Sequence, residues 1–247
     1  MERTKRRIAA VIGFCLLFAL ASFVAAATVY NIAGDQSLIA VEMRRHTSPK
    51  VTGLPDQQYP EMGHMITDYL MGRRNDFQYY FTDSDGNMVV CFSAHEENHM
   101  ADCRRLIGIA GSCRWILAGI SLVLIFAGIA LRKYRKSFAN GMLAGFGVTV
   151  LISLACLAWG LMSFDSLFTA FHRLLFTNEG WILDARTDML IRLMPTSFFV
   201  SMGIKLLLAV AAVVMVCFTA AMTIKLAGNS EVKEEPQEEQ EPAVQGA

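Results

Sequence analysis

Neither a glycine-rich phosphate loop nor a dinucleotide fingerprint occurs in this sequence, no segment repeats another, and no two cysteines stand at Cys-x-x-Cys spacing. These gaps leave out the common nucleotide cradles, repeat architectures, and thiolate metal or dithiol redox sites. Net charge is missing as well. The 22 lysines and arginines balance 22 aspartates and glutamates, so no nucleic-acid partner is expected. Of six cysteines, Cys15, Cys113, Cys156 and Cys217 lie in or near apolar blocks, where a thiol behaves as a small hydrophobe. Cys91 and Cys103 lie outside those blocks, and whether they pair is left open by spacing alone.

Apolar residues are abundant, at 54% of the chain with a mean hydropathy of +0.39, and they come in blocks. Four stretches are long enough to cross about 30 Å of hydrocarbon as helix, which needs about 20 residues: Ile8 to Tyr30, Leu106 to Leu131, Met142 to Phe164 and Phe198 to Met222. Helix is expected because an open strand in lipid would leave backbone amides unpaired. Lys5, Arg6 and Arg7 before the first stretch, and Ala25-Ala26-Ala27 near its end, give it the look of a signal peptide. Its apolar run outlasts the usual 7–15 residues, and we read it as a retained anchor.

Arg3, Lys5, Arg6 and Arg7 precede the first span, and Arg132, Lys133, Arg135 and Lys136 fill the link between the second and third. Positive charge collects on the cytoplasmic side, which places residues 1–7, the link 132–141 and both termini inside. The segment 31–105 and the loop 165–197 then face outward. The expected fold is a mainly α membrane protein, a four-transmembrane-helix bundle with a small extracytoplasmic α+β cap.

Within the cap, Met62, Met65, Ile66, Tyr69 and Leu70 fall at helical spacing over Tyr59 to Gly72, and Gly72 is a suitable stop. Phe77 to Phe81 and Met88 to Phe92 flank Asp83-Ser84-Asp85-Gly86-Asn87 and predict a hairpin. Ser93 with Glu96 predicts a capping box that opens a helix running through His99 into the second span. From 223 to 247, six glutamates and two prolines, all from residue 231 onward among almost nothing apolar, predict a disordered, acidic cytoplasmic tail.

Two polar islands carry the candidate chemistry, Glu96 to Asp102 and Phe171 to Trp181. His95-Glu96-Glu97-Asn98-His99 matches the H-E-x-x-H string, in which two histidines one turn apart hold zinc and the glutamate serves as base. No third ligand follows at a usual distance, and Glu97 and Asn98 are polar where such a catalytic helix is usually uncharged. Taken without a metal, His99 precedes the second span and His172 follows the third, so adjacent helices could bring the rings together at the outer interface. A non-catalytic membrane scaffold is the third class. Lys205 and Arg114 lie within spans, where a cation must snorkel, pair, or meet a lipid headgroup. Asp188 is the candidate partner.

The residues Glu96-x-x-His99-Met100-x-Asp102, then Phe171-His172, Phe176-x-Asn178-x-x-Trp181-x-x-Asp184 and Asp188-x-Leu190-Ile191-x-x-Met194-Pro195-x-x-Phe198-Phe199 resemble a bacterial integral membrane family that includes the lipoprotein intramolecular transacylase. Cys103 and Leu175 depart from its pattern, which has a branched apolar residue and a second phenylalanine there, and His95 is not part of it. The resemblance implies an enzyme of the bacterial cell membrane. It would move one O-acyl chain of a diacylglyceryl-modified lipoprotein cysteine onto that cysteine's own α-amine, yielding the lyso-form, with its active site outside. Its partners would be the lipoprotein N-terminus and membrane lipids, and no cofactor or metal would be needed. His99 and His172 would be catalytic, one as base and one steadying the oxyanion. Asp102 would hold an imidazole's tautomer, Asn178 would donate to the carbonyl, Trp181 would sit in the interfacial aromatic belt, and Glu96 and Asp188 would support the site.

Overall fold

The computed structural model describes residues 1–83 and 85–233, with side chains as far as 227. Four of its helices are long and apolar enough to cross a membrane: α1 (Glu2–Gly34), α5 (Ala94–Ala130), α6 (Arg135–Met162) and α9 (Thr196–Lys233). A short 3₁₀ turn at Arg132–Tyr134 joins α5 to α6. Between α1 and α5 lie α2 (Gln36–His46), α3 (Pro49–Thr52), α4 (Tyr59–Leu70) and a two-stranded antiparallel sheet, β1 (Tyr80–Thr82) and β2 (Met88–Val90). Between α6 and α9 lie α7 (Phe164–Leu175) and α8 (Met189–Leu193). The chain is mainly helical with one small sheet, at one end of the bundle.

Helix α1 is the hub of the bundle and packs against α5, α6 and α9. Its crossing with α6 depends on missing side chains. A Cβ on Gly141 would stand 1.8 Å from the Ala10 carbonyl oxygen, and one on Gly13 would stand 2.1 Å from that of Phe138. Small residues let backbones approach closely, which lipid cannot enforce by the hydrophobic effect. Outward faces stay apolar, with Trp115, Ile116, Leu151, Leu208 and Val216 exposed, as lipid contact requires.

A separate core fills the polar end of the bundle. Met43 from α2, Tyr59, Met62 and Ile66 from α4, Leu54, and Leu193 from α8 are all essentially inaccessible, and the Phe77 and Phe92 rings meet there tilted, with centroids 4.5 Å apart. The predicted helix from Tyr59 forms and stops where Gly72 takes a φ of +74°. The predicted hairpin also forms: Asp83 accepts from the Asp85 and Asn87 amides, Gly86 has a φ of +84°, and Tyr80 pairs with Val90.

Three boundaries differ from the sequence reading. Residues 165–197 are not plain loop, because Ser163 is extended and its side chain accepts from the Ser166 amide, restarting a helix directly after α6. The segment after α1 folds as α2, capped by Asp35 accepting from the Leu38 amide at 2.9 Å. Finally, α9 continues beyond Met222 to Lys233, and the acidic stretch 234–247 lies outside the described residues. Cys91 and Cys103 are free thiols.

Candidate active site

His99 is set by the start of α5. The Ser93 hydroxyl accepts from the Glu96 amide, and the Glu96 carboxylate accepts from the Ser93 amide at 2.8 Å, the reciprocal pair expected from the sequence. The same carboxylate, 1% exposed, also accepts from the Leu190 amide at the start of α8 at 2.6 Å. Glu96 therefore fastens the His99 helix to the segment that leads into α9. His95 reaches the Ile182 carbonyl at 3.2 Å, a second tie to that segment.

His172 sits on α7, whose apolar residues Phe164, Leu167, Phe168, Phe171 and Leu175 fall at three- and four-residue spacing. The helix packs against α6 and α9, with Phe171 and Leu174 exposed. This brings His172 to His99 with ring centroids 6.1 Å apart, and each residue is only 7% exposed. Around His172 stand Phe168 at 4.1 Å, Trp181 at 5.1 Å, and Phe171 and Phe176 at 5.5 Å; Phe176 also meets His99 edge-on at 5.2 Å. Trp181 thus packs on the His172 imidazole.

Hydrogen bonding fixes the proton of His172. His172 Nδ1 lies 2.8 Å from the Phe168 carbonyl oxygen. A carbonyl only accepts, so Nδ1 carries the proton and the neutral ring keeps its lone pair on Nε2. His99 Nε2 lies 3.5 Å from Cys103 Sγ, while its Nδ1 is buried without a partner. Burial pushes the Cys103 thiol up to about 12, reinforced by Asp102, so the thiol keeps its proton and can donate it to Nε2. A neutral His99 ring holds its one proton either on Nε2, facing Sγ, or on Nδ1, the atom without a partner.

Both groups precede Leu106 and the apolar part of α5. Burial also pushes His99 down to about 4, helped by the neighbouring His172 and opposed by Asp102. Burial lowers His172 too, against the Phe168 hydrogen bond. Both imidazoles are neutral near pH 7.

The supporting residues are distributed differently from expectation. Asp102 does not hydrogen-bond to His99: its carboxylate accepts from the Asn178 side-chain amide at 2.8 Å and pairs with Arg105 at 3.4 Å. Asn178 in turn accepts from the Gly180 amide, so this pair fixes the loop after α7. Asp188 accepts from the Asp184 amide at 2.7 Å and from Thr187, and among the described residues no span cation pairs with it. Lys205 instead meets Glu42 of α2 at 3.1 Å. Glu42, 2% exposed, also accepts from Ser201 and pairs with Arg45. Sequence reasoning missed Glu42, although its place between Ile39 and Met43 on a buried face marked it as a carboxylate in need of a partner.

The zinc string lacks its base, since Glu96 is committed to backbone amides. Among the described residues, no group of three or more His, Cys, Asp or Glu side chains is placed to hold a metal ion.

No curated protein matches this chain. The fold is similar to that of the membrane integral lipoprotein intramolecular transacylase Lit from Bacillus cereus, at 19% identity and a TM-score of 0.69, over 93% of this chain and 100% of that one. Two structures of the same protein with one histidine replaced are also similar. The arginine variant has 18% identity and a TM-score of 0.65, over 93% of this chain and 96% of that one. The alanine variant has 16% identity and a TM-score of 0.66, over 93% and 97%. Identities this low carry the fold alone. A family model described as "Lipoprotein intramolecular transacylase Lit" matches residues 10–199, a stretch that holds the buried histidine pair, its aromatic wall and the Glu96 tie. The chain therefore belongs to the lipoprotein intramolecular transacylase family of membrane enzymes.

Proposed function

We propose that this chain moves one O-acyl group of a diacylglyceryl-modified N-terminal cysteine to the α-amine of the same cysteine, on the extracytoplasmic side of the bacterial cell membrane, with both termini inside. The observation that carries this reading is the buried imidazole pair 6.1 Å apart, in which His172 keeps its proton on Nδ1 and presents a lone pair at Nε2, and His99, accepting the Cys103 S–H, would present an Nδ1–H.

His172 is the base. Its Nε2 takes a proton from the α-amine, whose reference pKa of about 7.7–8.0 lies close enough to that of histidine for transfer as nitrogen attacks. The amine nitrogen bonds to the ester carbonyl carbon, and the oxygen that gains charge receives the His99 Nδ1–H, a donor already in place and poorly solvated. Collapse breaks the bond to the glycerol oxygen, which leaves with the proton held by His172. One C–N bond replaces one C–O bond and no water enters.

Nucleophile and ester share one molecule, so holding them in a reactive geometry lowers much of the barrier. Phe168, Phe171, Phe176 and Trp181 suit that task by excluding water, and Glu96, Asp102 and Asn178 hold the two halves of the site in register. Asp188 does the same for the loop that ends at α8.

Mass spectrometry of a lipoprotein N-terminus, from cells with the wild-type chain, His172→Ala or no chain, tests this. An acyl group on nitrogen in the first sample alone is expected. Its presence in all three, or its absence from the first, overturns the reading.

A further inference from the structure

Arg114 presents a cation that nothing in the acyl-transfer scheme uses. It lies eight residues past Leu106 on α5, roughly 12 Å along the axis. No acidic side chain among the described residues pairs with it, and its Nε is buried without a hydrogen-bond partner. A charge at such depth is costly unless it finds a polar group.

Its position is nonetheless built. The guanidinium carbon lies over the Tyr30 ring, 3.7 Å from the centroid, and 5.2 Å from the centroid of the Trp115 ring. Tyr30 can come that close only because residue 111 is glycine, where a Cβ would stand 2.6 Å from a ring carbon. Helical side chains lean toward the N-terminus of their helix, and for α5 that is the polar end, so the fork is directed out of the hydrocarbon.

Tyr30 also borders a hollow of about 490 Å³, open at the surface, lined by Asn31, Gly34, Asp35, Gln36, Ser37 and Met71. This hollow shares no residue with the histidine site. Its lining is largely polar, and Trp115, next to Arg114 on α5, is exposed, a residue of the kind that sits at headgroup level.

We propose that Arg114 and this hollow bind the headgroup of a membrane phospholipid. The stacked guanidinium takes the phosphodiester, and Asn31, Asp35 and Ser37 face the hydroxyl or ammonium end. A planar fork pre-ordered on an aromatic ring suits phosphate oxygens in a way a lysine would not. The Asp35 carboxylate, half satisfied by the Leu38 amide, disfavours a bare phosphate and favours a headgroup that ends in a donor. The acyl chains of the same lipid then lie along the exposed side of α5.

Native mass spectrometry of the purified full chain, loaded with phosphatidylglycerol, phosphatidylethanolamine or diacylglycerol of identical chains, tests the site. Wild type is expected to retain either phospholipid at least fivefold better than Arg114→Gln, with diacylglycerol equal in both and the two proteins melting alike. Asn31→Ala/Ser37→Ala, which keeps the cation, is expected to lose retention by a smaller factor, and it serves as the readout should Arg114→Gln fail to fold. Equal phospholipid retention by the variants and wild type overturns the proposal. So does complete displacement of the lipid by free glycerol 3-phosphate, which would make a soluble phosphate ester the ligand.

Discussion

The Glu42 carboxylate of α2 lies 3.1 Å from the Lys205 ammonium of α9, and this contact joins the polar end of the molecule to a membrane span. Burial pushes the Glu42 carboxyl up, but hydrogen bonds from Ser201 and Lys205 outweigh it and hold the group below its ordinary value. Lys205→Met removes one partner of a buried carboxylate. Since Arg45 and Ser201 remain, a loss of about 1–3 kcal/mol is expected, less than for a fully buried pair. Adding Glu42→Leu to the same chain should restore most of it. Thermal melting in detergent reads both, and equal melting of wild type and Lys205→Met would show that the pair contributes nothing.

The same group sets an acid limit. A carboxyl whose folded pKa is depressed gives stability that is present above the unfolded value, about 4.5, and lost as pH falls through the lower folded value. The melting temperature of wild type should fall with acid below about pH 4.5 more steeply than that of Glu42→Gln. Parallel curves would remove Glu42 from the explanation.

Catalysis should tolerate acid further than an ordinary histidine allows. Both imidazoles are held below 6.5, His99 near 4, so the neutral, active forms persist as pH drops. The substrate amine adds its own limb at about 7.7–8.0, so the enzyme's limb is read from kcat/KM divided by the fraction of unprotonated amine, and should fall below pH 6.5. A limb at or above that value would mean that the rings are better hydrated than their 7% exposure indicates.

Cys103→Val, which restores the apolar side chain of the family pattern, removes the S–H contact to His99 Nε2. The ring would then divide between two tautomers, and a loss in kcat of up to roughly tenfold is expected, below the 10²–10³ for removing an oxyanion donor itself. Cys103→Ser, which keeps a donor, should lie closer to wild type. KM should hardly move in either, and a change confined to KM would point to packing instead.

Glu96→Ala leaves the Leu190 and Ser93 amides without their acceptor inside the protein, a loss of about 1–3 kcal/mol for each buried unsatisfied group. Melting and acyl transfer should fall together. Loss of melting temperature with full activity would show that the tie is not needed to place His99.

Much of this was legible in the chain. Apolar length marked four spans, Ser93 and Glu96 announced the start of α5, and Gly72 and Gly86 marked a stop and a turn, because each signal is local and rests on backbone geometry. The convergence of His99 and His172 was expected from their places beside the second and third spans. What was hidden depended on tertiary choice. Asp102 stands one turn from His99, yet it turns to Asn178, a partner 76 positions away that no periodicity reveals. Lys205 had Asp188 as the nearer candidate in sequence, but α2, too polar overall to stand out, delivers Glu42. Helix α7 was missed because its apolar stripe begins right after an equally apolar span, and the break at Ser163 is one residue long.

His99 stands some thirty residues from the three-residue turn that joins α5 to α6, roughly 46 Å of helix. At that far end the Phe138 ring sits where a Cβ on Gly128 would be, within 2.7 Å. Over such an arm, one degree of tilt displaces the imidazole by nearly an ångström, as much as the whole tolerance of a proton transfer. The short bonds from Glu96 to Leu190 and from Asn178 to Asp102 act as stays at the tip of a mast, converting a swaying pole into a fixed mounting.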